Sequence, residues 1–193
     1  MSNLLPSLTW KRDQSSNNVH LTFDDGPHPE ITPWVMNELD KYNAKATFFL
    51  VGENAEKYPK VVDLILSKGH TIGNHTQTHV KGWSVTTEKY IDNIKQCAAV
   101  IPLTKLFRPP FGKINFGSIT RLEEYEIIMW DVLSRDYQDG IDTSSILKKM
   151  KHQTVGGSIA VFHDSEKAEK NLKMMLPEYL KFLDSEKYSV EAL

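Results

Sequence analysis

The sequence predicts one α/β domain whose parallel sheet is covered by helices and is either open or closed into a barrel. Three observations carry that expectation. Short apolar runs alternate with amphipathic stretches along the whole chain. The runs are close to continuously apolar, as strands covered on both faces must be. Polar clusters follow directly on the runs, at the strand ends where α/β folds place their sites. No repeat, low-complexity tract or Pro/Gly/Ser-rich linker divides residues 1–193, so they are read as a single domain.

In chain order, residues 19–23 read as a buried strand that ends in Asp24-Asp25-Gly26-Pro27. Residues 32–42 are a helix, with Val35, Leu39 and Tyr42 on one face and Pro33 suited to its first turn. Residues 46–51 form a strand closed by Gly52, and residues 59–67 a helix stopped by Gly69. A short strand at 71–72 leads into the histidine-bearing segment 74–79. Residues 86–100 carry Tyr90, Ile94, Cys97 and Ala98 at three- and four-residue steps, which makes a helix and puts Cys97 in the core. A brief strand at 106–108 precedes Pro109-Pro110-Phe111-Gly112; 116–124 is helical, and 126–132 is an interior strand. Residues 144–151 are a helix with Ile146, Leu147 and Met150 inward, and 158–162 a strand that delivers His163. A closing helix at 168–185 and a last strand at 188–190 complete the alternation.

Composition removes several classes. With 40% hydrophobic, 10% aromatic and 25% charged residues the chain is neither disordered nor fibrous. A formal charge of −2 provides no basic field for nucleic acid or an anionic membrane. The single cysteine, Cys97, excludes an internal disulfide and leaves any metal site to histidines and carboxylates. No run approaches the roughly 18 apolar residues of a membrane span. Met1-Ser2-Asn3-Leu4-Leu5-Pro6 lacks the basic start and apolar run of a secretory signal. The expected location is cytoplasmic if Met1 is the native start, and exported if a leader has been removed. No protein partner can be inferred.

Four clusters could carry chemistry. Asp24-Asp25 is an ordinary solvated turn or a helix cap in many proteins, but adjacent carboxylates at a strand end point different ways. One can bind a cation while the other accepts a proton. His75 and His79 stand four residues apart, which on a helical turn puts both imidazoles on one face. Asp24 or Asp25 would complete a His₂Asp set with open positions, the pattern of a catalytic zinc centre. Arg108 opens a proline-stiffened loop and could hold a carboxylate ionised and aimed. His163 ends an apolar strand. His20, His28, His70 and His152 read as structural or surface residues, and the lysine-rich pieces Lys148-Lys149 and 167–173 as solvated helix faces.

Taken together these segments resemble the polysaccharide deacetylases of carbohydrate esterase family 4, the NodB-homology domain, over residues 20–193. Thr22-Phe23-Asp24-Asp25-Gly26-Pro27 matches the first motif in full, and His75-Thr76-Gln77-Thr78-His79 the His-Ser/Thr-x-x-His motif. Arg108-Pro109-Pro110-Phe111-Gly112 matches the Arg-x-Pro-Tyr/Phe-Gly loop; residues 130–137 occupy the fourth motif and Val161-Phe162-His163 the fifth. Two positions depart: Tyr137 follows Asp136 where tryptophan is usual, and Val161 takes the place of leucine. Both bear on substrate choice. Tyr137 keeps a stacking face, and Val161 enlarges an acetyl pocket by a methylene, worth about 1 kcal/mol.

The resemblance implies a distorted (β/α) barrel and a metal-dependent hydrolase that removes N-acetyl groups from an N-acetylglucosamine-containing glycan such as chitin, peptidoglycan or an exopolysaccharide. It implies one divalent metal on Asp25, His75 and His79, with zinc ahead of cobalt, nickel or manganese. Asp24 is then the general base, Arg108 its orienting cation, His163 the general acid and Asp136 the partner of His163. Pro110, Phe111, Tyr137 and Val161 line the substrate groove, and the N–H of Phe111 meets the oxyanion. The alternatives are an O-acetyl esterase or small-amide hydrolase on the same fold, or a carbohydrate-binding protein without catalysis.

Overall fold

Burial along residues 18–24 sets the centre of the fold: after a half-buried Asn18, every residue to Asp24 is withdrawn from solvent. The computed structural model describes residues 8–193, so the stretch 1–6 read for a targeting signal lies outside the described residues. The elements are β1 (Leu8–Thr9), β2 (Asn18–Asp24), α1 (Ile31–Asp40), β3 (Thr47–Leu50), α2 (Gly52–Lys57), α3 (Pro59–Ser67), β4 (Thr71–Asn74) and α4 (Thr87–Val100). There follow β5 (Leu106–Phe107), a 3-10 turn at Pro110–Gly112, α5 (Phe116–Ile119), β6 (Glu126–Ile128), β7 (Val132–Leu133), α6 (Thr143–Gln153), β8 (Ile159–His163), α7 (Glu169–Ser185) and β9 (Ser189–Val190). No described helix is long and apolar enough to cross a membrane.

All ladders between these strands are parallel, in the order β1-β6-β5-β4-β3-β2-β8-β7, with β9 pairing the start of β2. Only residues 129–131 separate β6 from β7, yet the two pair towards opposite ends of this row. The row therefore curls round on itself. Met129 N–H donates to the Thr9 carbonyl at 2.7 Å and Asp131 N–H to that of Ile159 at 3.2 Å, which draws the ends together into a distorted barrel. Residues 126–132 are thus two strands and not the one expected.

Strand alternation sorts β2 into two faces. Val19, Leu21 and Phe23 join the main core with Phe48, Phe162 and Tyr179, under α1, α3 and α7. Thr22 and Asp24 turn the other way and meet the buried Arg108. A second apolar cluster, Tyr90, Ile94, Phe107, Leu122 and Ile127, seats α4. Cys97 is buried, as its helical spacing requires.

Three further differences from the sequence reading have local causes. The helix expected over 116–124 stops at Ile119, because Arg121, Leu122 and Tyr125 donate to carbonyls three residues back and tighten the chain into turns. The unforeseen α2, Gly-Glu-Asn-Ala-Glu-Lys, has no apolar period and buries only Gly52 and Ala55. The unforeseen β1 is two residues long and is held by pairing with Ile127 and Ile128.

Candidate active site

Because the strands are parallel, the expected site residues gather at one end of the barrel. Asp24 ends β2 with Asp25 next to it; His75 follows β4, Arg108 follows β5, Asp136 follows β7, and His163 ends β8. The turn after β2 is tightly determined. Asp25 takes a left-handed φ of 78°, and its carbonyl accepts from Asn54 Nδ2 at 2.8 Å. Gly26 N–H donates to Asp164 Oδ1 at 3.1 Å, and the Thr32 hydroxyl donates to Asp164 Oδ2. A Cβ on Gly26 would stand 2.2 Å from that carboxylate, so only glycine fits. Burial raises the Asp164 carboxyl to about 7, with the Thr32 bond opposing.

Residues 75–79 do not form the helical turn that the spacing of the two histidines suggested. Thr76 and His79 have φ of 68° and 52°, and the N–H groups of Gln77 and Thr78 donate to Asn93 Oδ1 at 2.9 and 3.1 Å. Thr76 N–H donates to Asn74 Oδ1 at 2.9 Å. Side-chain acceptors thus take donors that a helix would spend on its own carbonyls. The imidazoles still converge, with ring centroids 5.1 Å apart.

His75 Nδ1 lies 2.8 Å from the Arg108 carbonyl, which can only accept, so Nδ1 carries the proton and Nε2 presents a lone pair. Burial pushes the His75 imidazole down to about 4 against the pull of Asp24, which keeps it neutral at neutral pH. Asp25 Oδ1 stands 3.7 Å from His75 Nε2 and 3.1 Å from His79 Nε2. Burial works to raise the Asp25 carboxyl, but His79, His163 and His75 hold it well below the usual carboxylate range. Its Oδ1 is buried without a hydrogen bond among the described residues. One ligand atom from each of the three residues lies within 4.8 Å of the others, and this is the one such cluster among the described residues. An orphaned anionic oxygen facing two imidazole nitrogens suits a divalent cation of the zinc kind.

Behind this cluster lies Arg108, fully buried. Its Nη1 donates to Asp24 Oδ1 at 2.8 Å and to Thr22 Oγ1 at 2.6 Å; Nε donates to the Ile128 carbonyl and Nη2 to that of Met129. Its guanidinium carbon is 4.2 Å from the Phe49 ring centroid. One Asp24 oxygen is thereby occupied, while the other, Oδ2, sits 4.0 Å from His75 Nε2. Across the site His163 Nδ1 pairs with Asp136 Oδ1 at 2.7 Å, and His163 N–H donates to Oδ2 at 2.8 Å. Burial disfavours the His163 imidazolium, but Asp136, with smaller help from Asp25 and Asp24, raises it to about 9.

These groups face a cavity of about 440 Å³ lined by Asp24, Asp25, His75, His79 and His163, with Phe111, Trp130, Leu133, Tyr137, Val161 and Lys167 around them. Arg108 and Asp136 stand behind its wall. Pro110 is buried and does not line it. Four contributors escaped the sequence reading. Trp130 lies at the break between β6 and β7 that sequence could not locate, Leu133 ends the short β7 that follows it, and Lys167 was read as part of a solvated helix face. Asp164, adjacent to His163, carried no role until its contacts with Gly26 and Thr32 were seen.

Comparison with known proteins gives the family. A family profile described as Polysaccharide deacetylase matches residues 11–130. A peptidoglycan-N-acetylglucosamine deacetylase of Bacillus cereus is 36% identical over 154 residues, 76% of this chain; the chain spans 56% of that relative's length. A chitooligosaccharide deacetylase of Azorhizobium caulinodans is 30% identical over 78% of this chain and 75% of its own. The solved structure of the Bc1960 peptidoglycan N-acetylglucosamine deacetylase superposes with a TM-score of 0.87 at 29% identity, covering 96% of this chain and 90% of that one. By profile, relatives and fold together, the chain belongs to the polysaccharide deacetylase family.

Proposed function

We propose that the chain is a metal-dependent N-deacetylase that hydrolyses the acetamide of N-acetylglucosamine units in a glycan. The observation that carries this reading is the meeting, on one cavity, of the Asp25–His75–His79 cluster with an Asp24–Arg108 pair and an Asp136–His163 pair. The names of the two relatives, deacetylases of peptidoglycan and of chitooligosaccharides, support the substrate class.

Asp25, His75 and His79 would hold a divalent cation, which would supply Lewis acidity towards a carbonyl oxygen and lower the pKa of a water towards about 7. The chain's own residues do the rest. Asp24 is tied through Oδ1 to Arg108, which leaves Oδ2 to accept a proton from the attacking water. His163 gives a proton to the departing sugar amine from Nε2, since its Nδ1 is committed to Asp136. An amide cannot release an unprotonated amine cheaply, and an imidazole held in its charged form meets that requirement. Tyr137, edge-on to His163 at 4.8 Å between ring centroids, and Val161, buried in the cavity wall, shape the space beside the acid.

Acetate release from an N-acetylglucosamine oligomer, measured beside acetylated xylan and small amides, tests the reading. Activity on the oligomer should vanish with a chelator and return with zinc, with cobalt, nickel and manganese compared; release that ignored the chelator would overturn it. Asp24→Asn should lower kcat by about 10²- to 10⁴-fold while bound zinc is retained. Loss of the metal in that variant would mean the two aspartates exchange roles. Because His163 must be protonated to act and its pKa is raised to about 9, the rate should hold through neutral pH and fall as pH passes that value. Asp136→Asn should draw the falling limb down towards the ordinary imidazole value of about 6.5. A limb unmoved by that change would remove His163 as the acid.

A further inference from the structure

The two lips of the cavity are built alike. On one, Phe111, 55% exposed, sets its ring centroid 4.7 Å from that of His79 and carries the Lys81 ammonium 5.1 Å from its own face. On the other, Tyr137 abuts His163 and carries the Lys167 ammonium 6.0 Å from its ring, with Lys167 lining the cavity itself. The pattern repeats just beyond the first lip. The Lys113 ammonium is 5.3 Å from the ring of Trp83, 65% exposed, and Asn115 Nδ2 donates to the Gly82 carbonyl at 3.1 Å to join the two loops.

An exposed aromatic face offers apolar contact to a pyranose ring, and an ammonium beside it can reach a charged substituent on that ring or the next. Among the described residues none of Lys81, Lys113 or Lys167 forms an ion pair, and Glu166, the acid next to Lys167, lies 3.5 Å from His28. The cavity's own carboxylates are engaged, Asp24 by Arg108 and Asp25 beside its histidines. The rim is therefore locally cationic although the whole chain carries a formal charge of −2. The formal net charge averages over this placement. Each ammonium stands alone on its own ring, which matches singly charged groups spaced along a chain.

We propose that this rim is a subsite for carboxylates, and that the preferred substrate is an N-acetylated glycan bearing carboxylate groups on neighbouring units. The inference rests on the deacetylase reading and narrows it. Carboxylates on such a glycan come either from lactyl ethers on the sugar, as in N-acetylmuramic acid, or from peptides attached there, which convert the lactyl group to an amide and bring carboxylates of their own.

The test uses Lys81→Gln, Lys167→Gln and the double variant. Calorimetric affinity and kcat/KM for acetate release are measured on three substrates: a neutral N-acetylglucosamine oligomer, a strand alternating N-acetylglucosamine with N-acetylmuramic acid, and that strand with its peptides. In the unaltered protein the charged strands should be preferred, and the preference should fade as salt is raised. The ratio of charged to neutral kcat/KM should fall about 2- to 5-fold in each single variant and about tenfold in the double variant. The strand with the larger fall identifies the source of the carboxylate. A ratio and salt response unmoved in the double variant would overturn the subsite while leaving the deacetylase reading intact. Failure of the latter would look different: no acetate from any substrate, with lysine-dependent binding of the charged strands retained.

Discussion

A guanidinium buried inside a barrel must be fully engaged, because a charge removed from water without partners is unsustainable. Arg108 meets that demand with Asp24, the Thr22 hydroxyl and the carbonyls of Ile128 and Met129, over the face of Phe49. Those partners come from β2, from the end of β6 and from the turn between β6 and β7. The Arg108 carbonyl in turn receives the proton of His75 Nδ1. One side chain and its own peptide group thus orient the base, fix the tautomer of a metal-binding histidine and tie the site to the place where the barrel closes. Removing it would leave Asp24 buried and unpaired, a cost of about 3–5 kcal/mol for a broken buried pair.

Around that anchor the site separates its histidines by environment. His75 is enclosed and faces a backbone acceptor, so burial holds it neutral and its free nitrogen points into the cluster. His163 is enclosed too, yet the Asp136 carboxylate at 2.7 Å outweighs the same burial and holds it charged. Two imidazoles a few ångströms from one cavity therefore serve opposite ends of a hydrolysis, one as ligand and one as proton donor. Asp25 stays anionic between them, in a left-handed turn braced by Asp164 through Gly26.

Much of this was legible in the sequence where local chemistry decides the outcome. The helix at Pro59–Ser67 begins on a proline suited to a first turn and stops before Gly69, and its bounds agree with the reading. The strands carrying Phe48, Ile127 and Phe162 are apolar because both their faces are covered. What sequence could not convey depends on distant contacts. The four-residue spacing of His75 and His79 is compatible with a helix, but Asn93, from α4, takes the intervening N–H groups and bends the segment into a loop. The segment 126–132, read as one strand around the apolar run 127–130, hides a break that exists only because the barrel must close there. Lys167 resembles any solvated lysine until Tyr137 is seen beneath it.

The central claim is that Asp25, His75 and His79 form one metal centre, and X-ray absorption at the zinc edge tests it most directly. The zinc-loaded protein should show two imidazole nitrogens at about 2.0–2.1 Å and oxygen ligands at about 2.0–2.2 Å, and His79→Ala should lose one imidazole from that shell. A spectrum without imidazole scattering, or one unchanged in His79→Ala, would place the metal elsewhere and contradict the account.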